Sequence, residues 1–156
     1  MAGSDGSRRI VAQNRKARYN YFVEETLEAG LVLQGTEVRA MRAGHASLGD
    51  AYADIRGTEI FLVNAHIAGY QAASRFNHEP LRPRKLLLHR REIEQLRGKL
   101  QREGYTLIPL SLYFNERGRA KIELGLARGR RQIDKREREK TRDWERQRAR
   151  LLRADS

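Results

Sequence analysis

"YTLIPLSLYFNERGRAKIELGLA", residues 105–127, decides the fold. Two runs suited to strands, "YTLIPLSLYF" and "AKIELGLA", are joined by "NERGR", whose Gly118 fits a tight turn. The stretch therefore predicts a β-hairpin, and the rest of the body is read outward from it. Just before it, "LLLHRREIEQLRGKLQREG" places Ile93, Leu96 and Leu100 at helical spacing and predicts a helix closed by Gly104. The turn-rich "ASRFNHEPLRPR" holds two of the three prolines and reads as a loop. Further back, "AYADIRGTEIFLVNAHI" predicts a second hairpin, with strands near 51–55 and 59–64 and a turn at 56–58.

Toward the N-terminus the signals mix. "ARYNYFV" alternates Tyr19, Tyr21 and Val23 as a strand would. "EETLEAGL" reads as a short helical turn stopped by Gly30. "LVLQGTEVRAMR" reads as a β-rich run bent at Gly35. Five to seven short antiparallel strands in about 110 residues suit a small barrel, whose closure removes open edges. The expected fold is mainly β: an OB-like closed antiparallel barrel over residues 10–128 with two or three short helices. A flexible lead over 1–9 precedes it, and a basic tail over 129–156, disordered or helical, follows.

Charge is unevenly placed. The chain has 156 residues with 32 basic and 20 acidic side chains, a formal charge of +12. Residues 1–20 hold five basic and one acidic residue, and residues 127–156 hold 12 and six. A near-neutral body with basic ends suits a polyanionic partner, and solubility alone does not require such loading. With no cysteine there is no disulfide framework. Neither a signal-peptide pattern nor a membrane-length apolar run is present, so a cytoplasmic protein with no membrane partner is expected.

The tail, "GRRQIDKREREKTRDWERQRARLLRADS" (129–156), has almost nothing to bury. From 132 to 152 helix formers run unbroken, with acid-then-base pairs such as Asp134–Arg138 and Asp143–Arg146 each worth about 0.2–0.5 kcal/mol. Ile133, Trp144 and Leu151 fall close to one line on a helix, widened by Leu152, and the stripe is too sparse for a coiled coil. One reading folds Trp144 and the leucines back onto the barrel. Another seats the helix in an RNA-lined groove with Trp144 stacked or pocketed, and a third lays it on a membrane surface, for which the apolar face is too thin.

Catalytic signatures are missing. His45, His66, His78 and His89 stand in no metal-binding frame, and neither a P-loop nor a GxSxG occurs, so no metal, cofactor or catalytic residue is expected. Asp50 and Asp54 could pair with Glu28 or Glu37 as the carboxylates of a nuclease, but solvated carboxylates beside basic residues are the commoner case. A carboxylate-dependent RNA-processing enzyme or a general structured-RNA binder is the alternative to a dedicated RNA-binding factor.

The words "NRKARYNYFVEETLEAGLVLQGTEVRAMRAG", "RPRKLLLHRREI", "REGYTLIPLSLYF" and "KIELGLARGRRQIDKR", in this order, resemble the small protein B (SsrA-binding protein) family of tmRNA-binding proteins, from Ile10 to Leu152. The resemblance implies a non-enzymatic factor for trans-translation. Its OB-like barrel would bind the tRNA-like domain of tmRNA in place of the missing anticodon arm. The complex, carried by elongation factor Tu and charged by alanyl-tRNA synthetase, would enter stalled ribosomes. There the tail would fold in the empty mRNA channel beyond the small-subunit decoding centre. Carried over by motif, Asn14, Glu28, Leu87 and Lys121 meet the tRNA-like domain, and Asp134, Lys135 and Arg136 serve accommodation. Trp144, Leu151 and Leu152 belong to the helix in the channel. Ile133 stands where some relatives carry His or an aromatic; it can pack on a base but cannot stack as a ring. A monomer is expected.

Overall fold

The computed structural model describes residues 8–69, 77–102, 104–129 and 141–152. The quoted hairpin is its spine. β8 (Tyr105–Phe114) and β9 (Ala120–Gly129) pair antiparallel from Tyr105↔Arg128 to Phe114↔Ala120. Gly118 turns the chain at φ +75°, and the Asn115 side-chain oxygen Oδ1 accepts the N–H groups of Arg117 and Arg119 at 3.0 and 2.9 Å. Along β9, Ile122, Leu124 and Leu126 point into the core, the two-residue period of a half-buried strand. Burial of each such side chain is worth about 1.5–3 kcal/mol.

Around this spine lie β1 (Arg9–Gln13), β2 (Tyr21–Leu31), β4 (Tyr52–Arg56), β5 (Glu59–Val63) and β7 (Arg84–Leu87). The seven form one antiparallel sheet, ordered β1-β8-β9-β2-β7-β5-β4. A two-stranded sheet pairs β3 (Ala46–Ser47) with β6 (His66–Ile67). The helices are α1 (Ala17–Asn20), α2 (Gly35–Arg42) and α3 (Arg90–Leu100), and residues 141–152 are helical as well. The expected mainly β fold with short helices is observed. Closure is not: the outermost strands β1 and β4 are not hydrogen-bonded to each other, although the sheet curls until β4 packs on β8.

The 51–64 hairpin lies within a residue of its expected bounds, with Gly57 at φ +65° in the turn. The helix carrying Ile93 and Leu96 also forms, but only from Arg90, because the preceding 84–87 is strand β7. Part of the expected loop, residues 73–76, lies outside the described residues; residues 77–83 contain neither helix nor strand.

Three expectations fail. Tyr19 belongs to the helical turn α1 rather than to a strand. "EETLEAGL" is not a helical turn but part of β2, although Glu, Leu and Ala favour helix. Packing overrides propensity there: β2 lies between β9 and β7, Ala29 is buried in the core and Leu27 and Leu31 pack against it. "GTEVRAMR" is helix α2 rather than strand, because Glu37 reaches back to accept the Gln34 N–H at 2.8 Å. That is the return half of a capping box.

Candidate nucleic-acid interface

Cross-strand register assembles the site on the outer face of the sheet. Tyr113 on β8 stands opposite Lys121 on β9, Lys121 opposite Gly30 on β2, and Gly30 opposite Leu87 on β7. One row thus sets Lys121 and Leu87 on either side of a residue with no side chain. A Cβ at Gly30 would lie 3.3 Å from the Leu87 Cβ and 3.7 Å from the Lys121 Nζ, so glycine keeps this floor open. Leu87 is 52% exposed, and the Lys121 ammonium has no hydrogen bond or ion pair among the described residues. In the next row Glu28 stands opposite Glu123, and Glu123 opposite Ser111. Three of the residues carried over from the resemblance, Glu28, Leu87 and Lys121, are therefore neighbours.

Leu87 is exposed because of how β7 is phased. Arg84 and Leu86 face inward, and Lys85 and Leu87 face outward. The inward arginine is held by Glu37: its Nε donates to Glu37 Oε2 at 2.5 Å and its Nη1 to the Ala65 carbonyl at 2.7 Å, while Arg82 Nη2 donates to Glu37 Oε1 at 2.5 Å. Burial alone would push the Glu37 carboxyl up, but hydrogen bonds from Arg82, the Gln34 N–H and Arg84 hold it below its ordinary value. A one-residue slip of β7 would expose Arg84 and bury Leu87, so this buried pair fixes which side chain reaches the outer face.

Asn14 lies elsewhere. Its N–H donates to the Leu110 carbonyl at 2.8 Å and its Nδ2 to the Pro109 carbonyl at 3.2 Å, at the bulge that proline imposes on β8. It borders two grooves, of about 490 Å³ each, that it shares with Lys16, Gly49 and Asp50. Strands β8 and β9 separate it from Glu28.

Sequence reasoning missed Arg8, Tyr113 and Glu123. The Tyr113 hydroxyl donates to Glu28 Oε2. Arg8 lies 4.5 Å above the Tyr113 ring, with ion pairs of 3.7 Å to Glu28 and 3.5 Å to Glu123. Burial, then the hydrogen bond to Glu28, push the Tyr113 hydroxyl well above its ordinary value, so it remains a donor. A signal existed for Glu123: two residues beyond Lys121 on a strand, it must share that lysine's face.

Three of the four carboxylates weighed for metal chemistry have other occupations. Glu37 holds two arginines, Glu28 accepts from Tyr113, and Asp54 pairs with Arg56 at 3.1 Å. Among the described residues no group of three or more His, Cys, Asp or Glu could hold a metal ion. His78 is buried, its Nε2–H donating to the Ile67 carbonyl and its Nδ1 accepting from Thr36, each at 2.8 Å.

In the tail every residue of helix 141–152 is exposed, with Trp144, Leu151 and Leu152 at 62, 66 and 63%. These three side chains do not fold back onto the sheet. Ile133, Asp134, Lys135 and Arg136 lie outside the described residues. No helix among the described residues is long and apolar enough to cross a membrane.

An unpartnered lysine beside an exposed leucine on a sheet face, in a chain of +12, defines a basic β-sheet protein equipped for a polyanion. Comparison narrows the class. Residues 11–154 match the SmpB protein family. The chain is 62% identical over 149 residues to an SsrA-binding protein of Methylobacterium nodulans, covering 96% of this chain and 95% of that protein. It is 59% identical over 146 residues to an SsrA-binding protein of Rhodopseudomonas palustris, covering 94% and 93%. In a solved structure described as "tmRNA-SmpB: a journey to the center of the bacterial ribosome", one chain aligns with a TM-score of 0.64 and 50% identity over 75% of this chain and 82% of that one. The chain belongs to the SmpB family.

Proposed function

We propose that this protein is a tmRNA-binding factor of trans-translation that acts by binding and carries out no bond-making chemistry. The outer face around Lys121, Leu87 and Glu28 takes the tRNA-like domain of tmRNA, with Asn14 contributing from the neighbouring grooves, and stands in for the missing anticodon arm. Lys121 meets a phosphate, Leu87 packs on a sugar or base, and Glu28 accepts from a base edge or 2′-OH. The observation that carries this reading is the unpartnered Lys121 held in register with exposed Leu87, in a chain of this family.

The division of the chain follows. Residues 10–128 are the RNA-binding unit, an OB-like barrel completed by packing of β4 on β8, and residues 1–9 lead into it. Residues 129–156 are the ribosomal element. Ile133, Asp134, Lys135 and Arg136 act near the decoding centre, and Trp144, Leu151 and Leu152 seat the helix in an mRNA channel that is vacant only on stalled ribosomes. Elongation factor Tu and alanyl-tRNA synthetase join through the tmRNA, and the protein works as a cytoplasmic monomer.

Binding of the full-length protein to the isolated tRNA-like domain, across a salt series, tests the reading. Preference for that RNA over an unrelated hairpin, reduced by Lys121→Ala, is expected. Equal affinity for both RNAs would make the protein a general structured-RNA binder.

A further inference from the structure

The interface contains an arrangement that RNA binding alone does not explain. Glu28 and Glu123 stand directly opposite each other on β2 and β9, one row from Lys121. Like charges opposite each other in a sheet, about 4.5–5.5 Å apart, destabilise the pairing, and on this face they would also repel phosphate. Arg8 answers both problems. Its two terminal nitrogens divide between the carboxylates, Nη2 to Glu28 at 3.7 Å and Nη1 to Glu123 at 3.5 Å. The guanidinium rests on the Tyr113 ring, and Tyr113 in turn donates to Glu28. The side chain is 31% exposed, so it is part of the surface a ligand meets.

We infer that Arg8, from the basic N-terminal segment, is a positioning residue of the RNA-binding face. It neutralises the Glu28–Glu123 pair and, with Tyr113, fixes the direction in which the Glu28 carboxylate points. This inference rests on the tmRNA reading above. It takes Arg8 out of the solvated lead and makes it a condition for a polyanion to approach Lys121. A direct Arg8–phosphate contact is the competing account, and the two differ in how Arg8 couples to Glu123.

The test is a double-mutant cycle on the full-length protein, binding the isolated tRNA-like domain at a temperature where thermal melts find every variant folded. Arg8→Ala is expected to weaken binding about five- to tenfold, the scale of coupling between contacting charges. Glu123→Gln alone should change affinity by a smaller factor than Arg8→Ala does, since Arg8 still compensates Glu28. Combined with Arg8→Ala it should restore most of the loss, and the salt slope should stay near the wild-type value in all four proteins. The inference is overturned if Glu123→Gln changes affinity by the same factor in both backgrounds. A fall of the salt slope by about 0.7–0.9 in Arg8→Ala would overturn it too, because that is the mark of one lost phosphate contact. If the wild type does not prefer the tRNA-like domain, the functional reading itself fails, and that result is read from the wild type alone.

Discussion

The outer sheet face and the C-terminal helix are both basic, apolar-tipped surfaces, but one is built in advance and the other is not. On the sheet, Leu87 and Lys121 are held by a register that extends through β7 to the buried Glu37–Arg84 pair. In the tail, helix 141–152 exposes every side chain, and at about 1.5 Å per residue these described residues span ~18 Å. A helix with no packing partner has marginal stability in water. On the proposed reading, the sheet recognises a folded RNA at little ordering cost, whereas the tail gains its binding energy only where a groove exists to receive Trp144 and the leucines. This contrast suits a protein with one constant partner and one conditional one.

Removing Glu37 breaks the contrast at its root. Glu37→Gln leaves Arg84 buried beside a neutral amide, and unfolding in urea should show a loss of about 3–5 kcal/mol, with weaker RNA binding as β7 loosens. The pH dependence carries the same sign. Because the folded Glu37 carboxyl lies below its ordinary 4.5, its contribution is fully present above pH 4.5 and is lost as pH falls through the folded value. Acid unfolding of Glu37→Gln should therefore begin from lower stability and fall less steeply over that range.

Lys121→Ala sharpens the contrast from the other side. The variant should keep wild-type stability and lose on the order of 1 kcal/mol of RNA affinity, about fivefold, with the salt slope reduced by about 0.7–0.9. An unchanged slope would remove Lys121 from the phosphate contacts. Trp144→Ala should have the smallest effect on the isolated protein. Its unfolding free energy should stay within ~0.5 kcal/mol of wild type, and its affinity for the tRNA-like domain should not change. Peptide tagging on stalled ribosomes should nevertheless fall. A stability loss well beyond that figure would mean the tryptophan packs on the body after all.

The 105–127 hairpin was legible because its strands, turn and glycine agree at every level. The 17–42 segment was not, because its outcome depends on neighbours. "EETLEAGL" is a strand only because β9 and β7 flank it, with Glu24 paired to Arg128, Glu25 to Lys99 and Glu28 to Arg8. Helix α2 begins at a glutamine N-cap, a weaker signal than Ser or Asp, and its return partner Glu37 also serves the core. On the outer face, Leu87 reads by default as core and Arg84 as surface; the buried Glu37 carboxylate on α2 reverses them. Motif resemblance pointed to Glu28, Leu87 and Lys121, but their adjacency exists only in the cross-strand register, and the Arg8–Tyr113 support of Glu28 only in side-chain packing.

The most direct test compares the full-length protein with one lacking residues 130–156, which leaves β9 intact. Each would be titrated with the tRNA-like domain across a salt series and assayed for tagging on stalled ribosomes. Nearly equal affinities and slopes, with tagging abolished in the shortened protein, is the predicted result. Loss of most of the affinity and slope on removing the tail would contradict it, because the tail would then be a general RNA clamp and the sheet face a minor contact.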